Sequence, residues 1–129
     1  MPVDYKMGIL VVDDLQPIRQ ALGHILRSFG FKNIAYASNG KQAMGVLEER
    51  EISLVLLDWN MPAMTGIEFI KNFRATEGYE DVPVIMVTAE NEKTKVYEAA
   101  QSGVTGYLLK PFTPNSVREK ISAAIGEKL

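Results

Sequence analysis

The stretch ISLVLLDWNMP, residues 52–62, runs four consecutive apolar residues into an aspartate, Asp58, which is followed by the only tryptophan, Trp59. A strand with one wet face would alternate apolar and polar residues; an unbroken run reads as a strand covered on both faces, as in a parallel sheet. The same pattern recurs as ILVV at 9–12, VIMV at 84–87 and YLL at 107–109, with a weaker NIAYA at 33–37. Helical patterns fill the intervals. Residues 17–29 set Ile18, Ala21, Leu22, Ile25, Leu26 and Phe29 on one stripe, with Pro17 early, where no amide donor is needed, and Gly30 as the stop. A second helix opens at Asn39, with Gln42 three residues on, and buries Ala43, Val46 and Leu47. A third opens at Thr65 with Glu68 as its capping-box partner and turns Ile67, Ile70 and Phe73 or Phe69 inward. A fourth covers 92–102, and a fifth takes Thr113 as cap and Pro114 as first residue, then runs through Val117, Ile121, Ala124 and Ile125. Five alternations of strand and helix predict an α/β protein: a single doubly wound parallel sheet with right-handed crossovers, residues 1–129 forming one domain.

Composition narrows the functional classes. At 129 residues and 47% hydrophobic, the chain can bury a core of its own without staples. Cysteine is absent, which excludes disulfides and thiol nucleophiles and agrees with a cytoplasmic setting. The first eight residues, MPVDYKMG, lack the apolar core of a secretory signal, and no aliphatic run is long enough to cross a bilayer. Fourteen Lys and Arg against sixteen Asp and Glu are interspersed and leave a net charge of −2, so nucleic acid is not an expected partner.

Four of the five runs end on polar residues: Asp13 and Asp14, Asp58, Thr88, and Lys110. In an open parallel sheet these ends share the edge where such folds bind ligands. Adjacent strands lie about 4.8 Å apart, so carboxylates from two of them can share one cation while a lysine two strands away reaches over. Taken singly, each residue has a plainer use: Asp13 and Asp14 as a turn and helix entry, Asp58 as the start of a turn before Pro62, Lys110 and Thr88 as strand ends. Together they crowd three carboxylates, and a pair about 4 Å apart costs on the order of 4 kcal/mol at an effective dielectric near 20. A raised pKa or a hard divalent cation with oxygen ligands, Mg²⁺ in particular, would offset that. A carboxylate held beside Mg²⁺ and an ammonium is equipped to attack a phosphoryl group.

With these motifs in order, DD at 13–14, DWNMP at 58–62, VTAE at 87–90 and GYLLKPF at 106–112, the chain resembles the receiver domain of two-component response regulators, and within them the CheY-like single-domain chemotaxis regulators. The resemblance covers essentially the whole chain. It implies the flavodoxin-like strand order 2-1-3-4-5, Asp58 as phosphoacceptor, and a Mg²⁺ site made by Asp13, Asp14, Asp58 and the main-chain carbonyl of Asn60. Lys110 and Thr88 would bind the phosphoryl group, Thr88 and Tyr107 would be the switch pair, and Asn60 and Glu90 would influence phosphate lifetime. It further implies a cis Lys110–Pro111 bond, a histidine kinase as donor, and a downstream target protein, either a flagellar motor switch or a phosphotransfer protein. A monomer that is not an enzyme on a separate substrate is expected.

Departures from the chemotaxis pattern are LQPIR at 15–19 and Glu92, both on or near partner surfaces. Two other functions are weighed. A passive phosphate carrier draining a shared kinase, or a receiver belonging to a longer regulator, fits the same residues. A phosphatase of the haloacid-dehalogenase type also forms an aspartyl phosphate, but needs an acid where this chain has Asn60. Tyr107 reads equally as a half-buried strand aromatic, and Trp59 as packing or rim. His24 falls opposite the apolar stripe. Met61, Met64 and Met86 read as gap fillers, since thioethers suit soft ions. Lys93, Lys95, Arg118 and Lys120 read first as solvated helix faces and second as a docking surface.

Overall fold

The structure, a computed structural model, describes residues 3–58, 66–89 and 103–129. Its elements in chain order are β1 (Ile9–Val12), α1 (Gln16–Ser28), β2 (Ile34–Ala37), α2 (Gly40–Glu49), β3 (Leu54–Asp58), α3 (Gly66–Ala75), β4 (Val84–Thr88), β5 (Gly106–Leu109) and α4 (Pro114–Ile125). All strand pairs are parallel, in the order β2-β1-β3-β4-β5. Thr65, which was to open the third helix, and the helix expected over 92–102 lie outside the described residues.

Two apolar layers hold the helices to the sheet. Leu10, Val55, Leu57 and Met86 face α2 and α3, packing with Leu47, Phe69, Ile70 and Phe73. Ile9, Val11, Leu56 and Val87 face α1 and α4, packing with Leu22, Leu26, Val117 and Ile121. Both Phe69 and Phe73 are inward, stacked with ring centroids 5.6 Å apart, so the sequence's alternative between them dissolves.

Capping follows the residue types. The Asn39 side chain accepts from the Gln42 N–H at 2.8 Å, while Gln42 Oε1 reaches back to the Ser38 N–H and hydroxyl. Thr113 and Ser116 cap α4 reciprocally, with Pro114 in the first turn. The start of α1 differs: Leu15 is its cap residue and offers no side-chain bond. Gly30 stops α1 at φ +111°, a backbone shape that favours glycine.

Two expectations fail at the edges. β1, β3 and β4 are covered on both faces, but β2 and β5 are not: Tyr36 is 38% exposed and Leu109 is 49% exposed. The strand order makes them the outer strands of the sheet, where cover thins. Ala21 was expected on the buried stripe of α1 and is exposed. The buried face instead passes through Leu22, Gly23, Ile25 and Leu26.

Arg74, which no motif singled out, joins the entries of β4 and β5. Its Nη1 donates to the carbonyls of Tyr79 (2.9 Å) and Val82 (2.6 Å), and its Nη2 to that of Gly103 (2.7 Å), a residue at φ +92°. Burial pulls this guanidinium below the usual arginine pKa, opposed by Asp81. Bonds to a charged donor are worth about 1.5–3 kcal/mol each at most, and the group is partly solvated. Arg74→Ala is therefore expected to lower unfolding stability in urea by about 2 kcal/mol. Arg74→Lys should recover less than half, lacking the planar fork. An unchanged urea midpoint would count against this role.

Candidate functional site

The strand register brings the polar ends together. Val12 pairs with Leu57, Asp58 with Val87 and Thr88 with Leu109, so the residues following β1 and β5 lie level with the ends of β3 and β4. Backbone bonds carry the ladder one step further: Asp13 N–H donates to Ala37 O at 3.1 Å, and Lys110 N–H to Thr88 O at 2.8 Å. The Lys110–Pro111 peptide is cis.

Among the described residues Asp13, Asp58 and Thr88 are the buried polar ones, 1%, 6% and 7% exposed respectively, whereas Asp14 stands in solvent. One oxygen from each of Asp13, Asp14 and Asp58 lies within 4.8 Å of the others. Lys110 reaches over from β5, its Nζ lying 3.0 Å from Asp13 Oδ2 and 3.3 Å from Asp58 Oδ1. Only the second contact has hydrogen-bond geometry, which leaves Asp13 Oδ2 buried and without a hydrogen-bond partner among the described residues.

The charges are unbalanced. Loss of solvent is the main cause that raises the Asp58 pKa to about 6; the Asp13 and Asp14 charges add to it, and Lys110 works against it. At Lys110 burial acts to lower the pKa, but the negative charges of Asp13 and Asp58 close to its ammonium outweigh it and raise the value. Three carboxylates against one ammonium leave a formal double negative charge. A hard divalent cation would balance it, and the donor set of carboxylate oxygens, one of them buried without a hydrogen bond among the described residues, fits Mg²⁺.

Thr88 and Tyr107 sit to one side of this cluster. Side chains alternate along strands, so Thr88 shares the face of Met86, the partner of Tyr107, while Asp58 shares the parity of Val87. Tyr107 is half-buried, and burial lifts its phenol pKa above the usual value. A cavity of about 370 Å³ lies between Thr88, Tyr107, Leu109, Pro111 and Lys120. Cavity size does not locate the chemistry: one of about 730 Å³ lies against Tyr5, Lys6, Phe29 and Lys32 and touches none of these groups.

Of the residues singled out in the sequence, Asp13, Asp14, Asp58 and Lys110 are gathered, and Thr88 is adjacent. Asn60, Glu90 and Trp59 lie outside the described residues. His24 is exposed, as expected. Arg19 was missed; its Nη1 donates to Asp13 O at 2.6 Å. An arginine on a helix carries no local sign of bonding a carbonyl six residues back.

Residues 9–122 match the family model of the response regulator receiver domain. The chain is 44% identical over 116 residues to the chemotaxis protein CheY-3 of Vibrio cholerae, covering 90% of this chain and 89% of that one. Its fold is similar to the crystal structure of Vibrio cholerae CheY4, with TM-score 0.87 and 33% identity, covering 92% of this chain and 98% of that one. It is also similar to the receiver domain of a Pseudomonas aeruginosa sensor histidine kinase, with TM-score 0.85 and 27% identity over 95% and 99% of the two chains. That structure carries a magnesium ion coordinated in its active-site cleft.

Proposed function

The chain belongs to the response regulator receiver family, and from that premise we propose that it is a phosphorylation-controlled binding module whose phosphoacceptor is Asp58. It is a two-component signalling domain resembling the CheY chemotaxis regulators, and a receiver implies a histidine kinase partner and a downstream target. The observation that carries the Asp58 reading is its position: a carboxylate 6% exposed at a strand end, between a second carboxylate and an ammonium.

The roles follow from the groups. An Asp58 carboxylate oxygen attacks phosphorus, the bond from phosphorus to the donor's imidazole nitrogen breaks, and the leaving nitrogen keeps the electron pair. Magnesium, held by Asp13, Asp14, Asp58 and the Asn60 carbonyl, would supply charge neutralisation at the phosphoryl oxygens. Lys110 follows the moving negative charge, exchanging an Asp58 oxygen for a phosphoryl oxygen. Thr88, at the end of β4, offers its hydroxyl from the next strand, and Tyr107 lies two residues back on the neighbouring strand. A shift of Thr88 toward phosphate would change the space behind it, and with it the cavity that Tyr107 and Lys120 line. Asn60 and Glu90 belong to the same proposal as influences on phosphate lifetime.

Residues 1–129 are read as one receiver domain in a cytoplasmic setting, and no helix among the described residues is long and apolar enough to cross a membrane. The chemotaxis relatives favour a motor switch as the target over a phosphotransfer protein. The phosphatase and carrier readings are not favoured by the family match.

Trp59 fluorescence tests the proposal. A saturable response to Mg²⁺ is expected, then a second change on adding beryllofluoride, a phosphoryl mimic; silence at both steps in a folded protein would sink it. Lys110→Ala should bind Mg²⁺ at least as well, having lost a competing cation. Its apparent beryllofluoride affinity should fall about tenfold, the equivalent of one charge-assisted hydrogen bond. An unaltered beryllofluoride response would remove Lys110 from the phosphoryl site.

A further inference from the structure

We propose that Arg19 is the positioning residue of the metal centre, holding the Asp13 carbonyl so that one oxygen of the Asp13 carboxylate is kept facing the cation; the proposal rests on the magnesium reading of the acidic cluster. Asp13 has four polar groups, and three are tied up away from the site. Its N–H donates to Ala37 O at 3.1 Å, and its Oδ1 accepts from Leu15 N–H at 2.9 Å. Its carbonyl accepts from Arg19 Nη1 at 2.6 Å. Oδ2 alone is left, buried and lacking a hydrogen bond among the described residues, 3.0 Å from Lys110 Nζ.

One of the three restraints is a main-chain pairing that almost any side chains could accompany, and one is made by the Asp13 side chain itself to a main-chain N–H. Arg19 is the one contributed by another residue's side chain among the described residues. It stands in the first turns of α1, half-buried, with its own N–H bonded to Leu15 O at 3.2 Å. It thus closes the loop from the end of β1 to the start of α1, the segment that carries both Asp13 and Asp14. That start has no side-chain cap, so the Arg19 bond supplies a restraint that the cap residue does not. On its other side Arg19 borders an open cavity of about 340 Å³ with Gln16, Gln20, Arg27 and Tyr36, so its removal leaves no sealed void.

The expected effects have a sign that separates positioning from charge. Removing a cation near a cation site strengthens metal binding by Coulomb's law alone. Loosening the Asp13 peptide weakens it, by the tenfold or more typical of groups that orient ligands from behind. Mg²⁺ demands near-octahedral geometry and Ca²⁺ tolerates distortion, so the loss falls mainly on Mg²⁺.

Calorimetric titration of Mg²⁺ and of Ca²⁺ into the parent, Arg19→Ala and Arg19→Lys proteins tests this. The parent should bind Mg²⁺. Arg19→Ala should weaken Mg²⁺ about tenfold and Ca²⁺ about twofold or less, and Arg19→Lys, which can still donate to the carbonyl, should recover most of the loss. If the parent takes up no Mg²⁺, the magnesium reading falls and the proposal with it. If the parent binds and Arg19→Ala binds Mg²⁺ equally or more tightly, or if both ions weaken alike, the proposal alone is overturned. Should Arg19→Ala not fold, Arg19→Gln gives the same readout: weaker Mg²⁺ binding supports the proposal and unchanged binding overturns it.

Discussion

Asp58→Asn should take up no stable phosphoryl group. Incubated with Mg²⁺ and acetyl phosphate, the parent protein should gain the mass of one phosphoryl group, and the variant none. Asparagine keeps the shape of the side chain but has no carboxylate oxygen to attack phosphorus, so the loss is of the reaction itself and not of affinity. The effect should be at least 100-fold in yield, because a neutral amide lacks the nucleophile that the rest of the site only positions. The fold should survive, since Asp58 caps the apolar run and takes no part in the two packed layers. Phosphate retained on the variant would move the acceptor elsewhere. The neighbouring Asp13 and Asp14 are the groups to map first, as they share the same pocket.

The same substitution should stabilise the metal-free protein, and the gain should depend on pH. In the folded chain the Asp58 pKa is raised to about 6 from 3.8, chiefly by burial and by Asp13, with Lys110 opposing. Below about pH 4 the carboxyl is protonated in the folded chain and increasingly so in the unfolded one, and the site costs little. As pH rises from there toward 6, the unfolded chain releases its proton first, and stability falls. Above pH 7 the deficit is complete. At 1.36 kcal/mol per pKa unit it is about 3 kcal/mol, an upper bound because water and ions reach the rim of the site. Asparagine has no such titration. In EDTA at pH 7.5, Asp58→Asn should therefore unfold at higher urea than the parent, and the two curves should converge near pH 4. Mg²⁺ should narrow the gap at pH 7.5 by binding the native parent. A variant no more stable than the parent in EDTA at pH 7.5 would mean that the Lys110 pairing outweighs the cost of burial.

The sequence by itself determined the elements seen among the described residues and the edge on which the chemistry sits. Unbroken apolar runs, caps such as Asn39 and Thr113, and Gly30 as a stop are local signals, written within a few residues of where they act. The polar ends Asp13, Asp58, Thr88 and Lys110 were legible for the same reason: a parallel sheet puts every strand end of one kind on one edge. The tertiary structure decided what depends on neighbours far along the chain. That β2 and β5 are half-covered follows from their place at the sides of the sheet, which the runs IAYA and GYLL do not carry. That Arg74 joins Val82 to Gly103 and that Arg19 holds Asp13 are matters of side chains meeting main-chain carbonyls. Every residue of the chain offers such a carbonyl, and only packing selects the one a guanidinium meets. The unequal burial of Asp13 and Asp14 likewise came from the turn that α1 makes on leaving β1, which tucks one carboxylate beneath Lys110 and leaves the other at the rim. Period and capping are short-range physics; register, rim and the carbonyls a guanidinium finds are set only when the crossovers close.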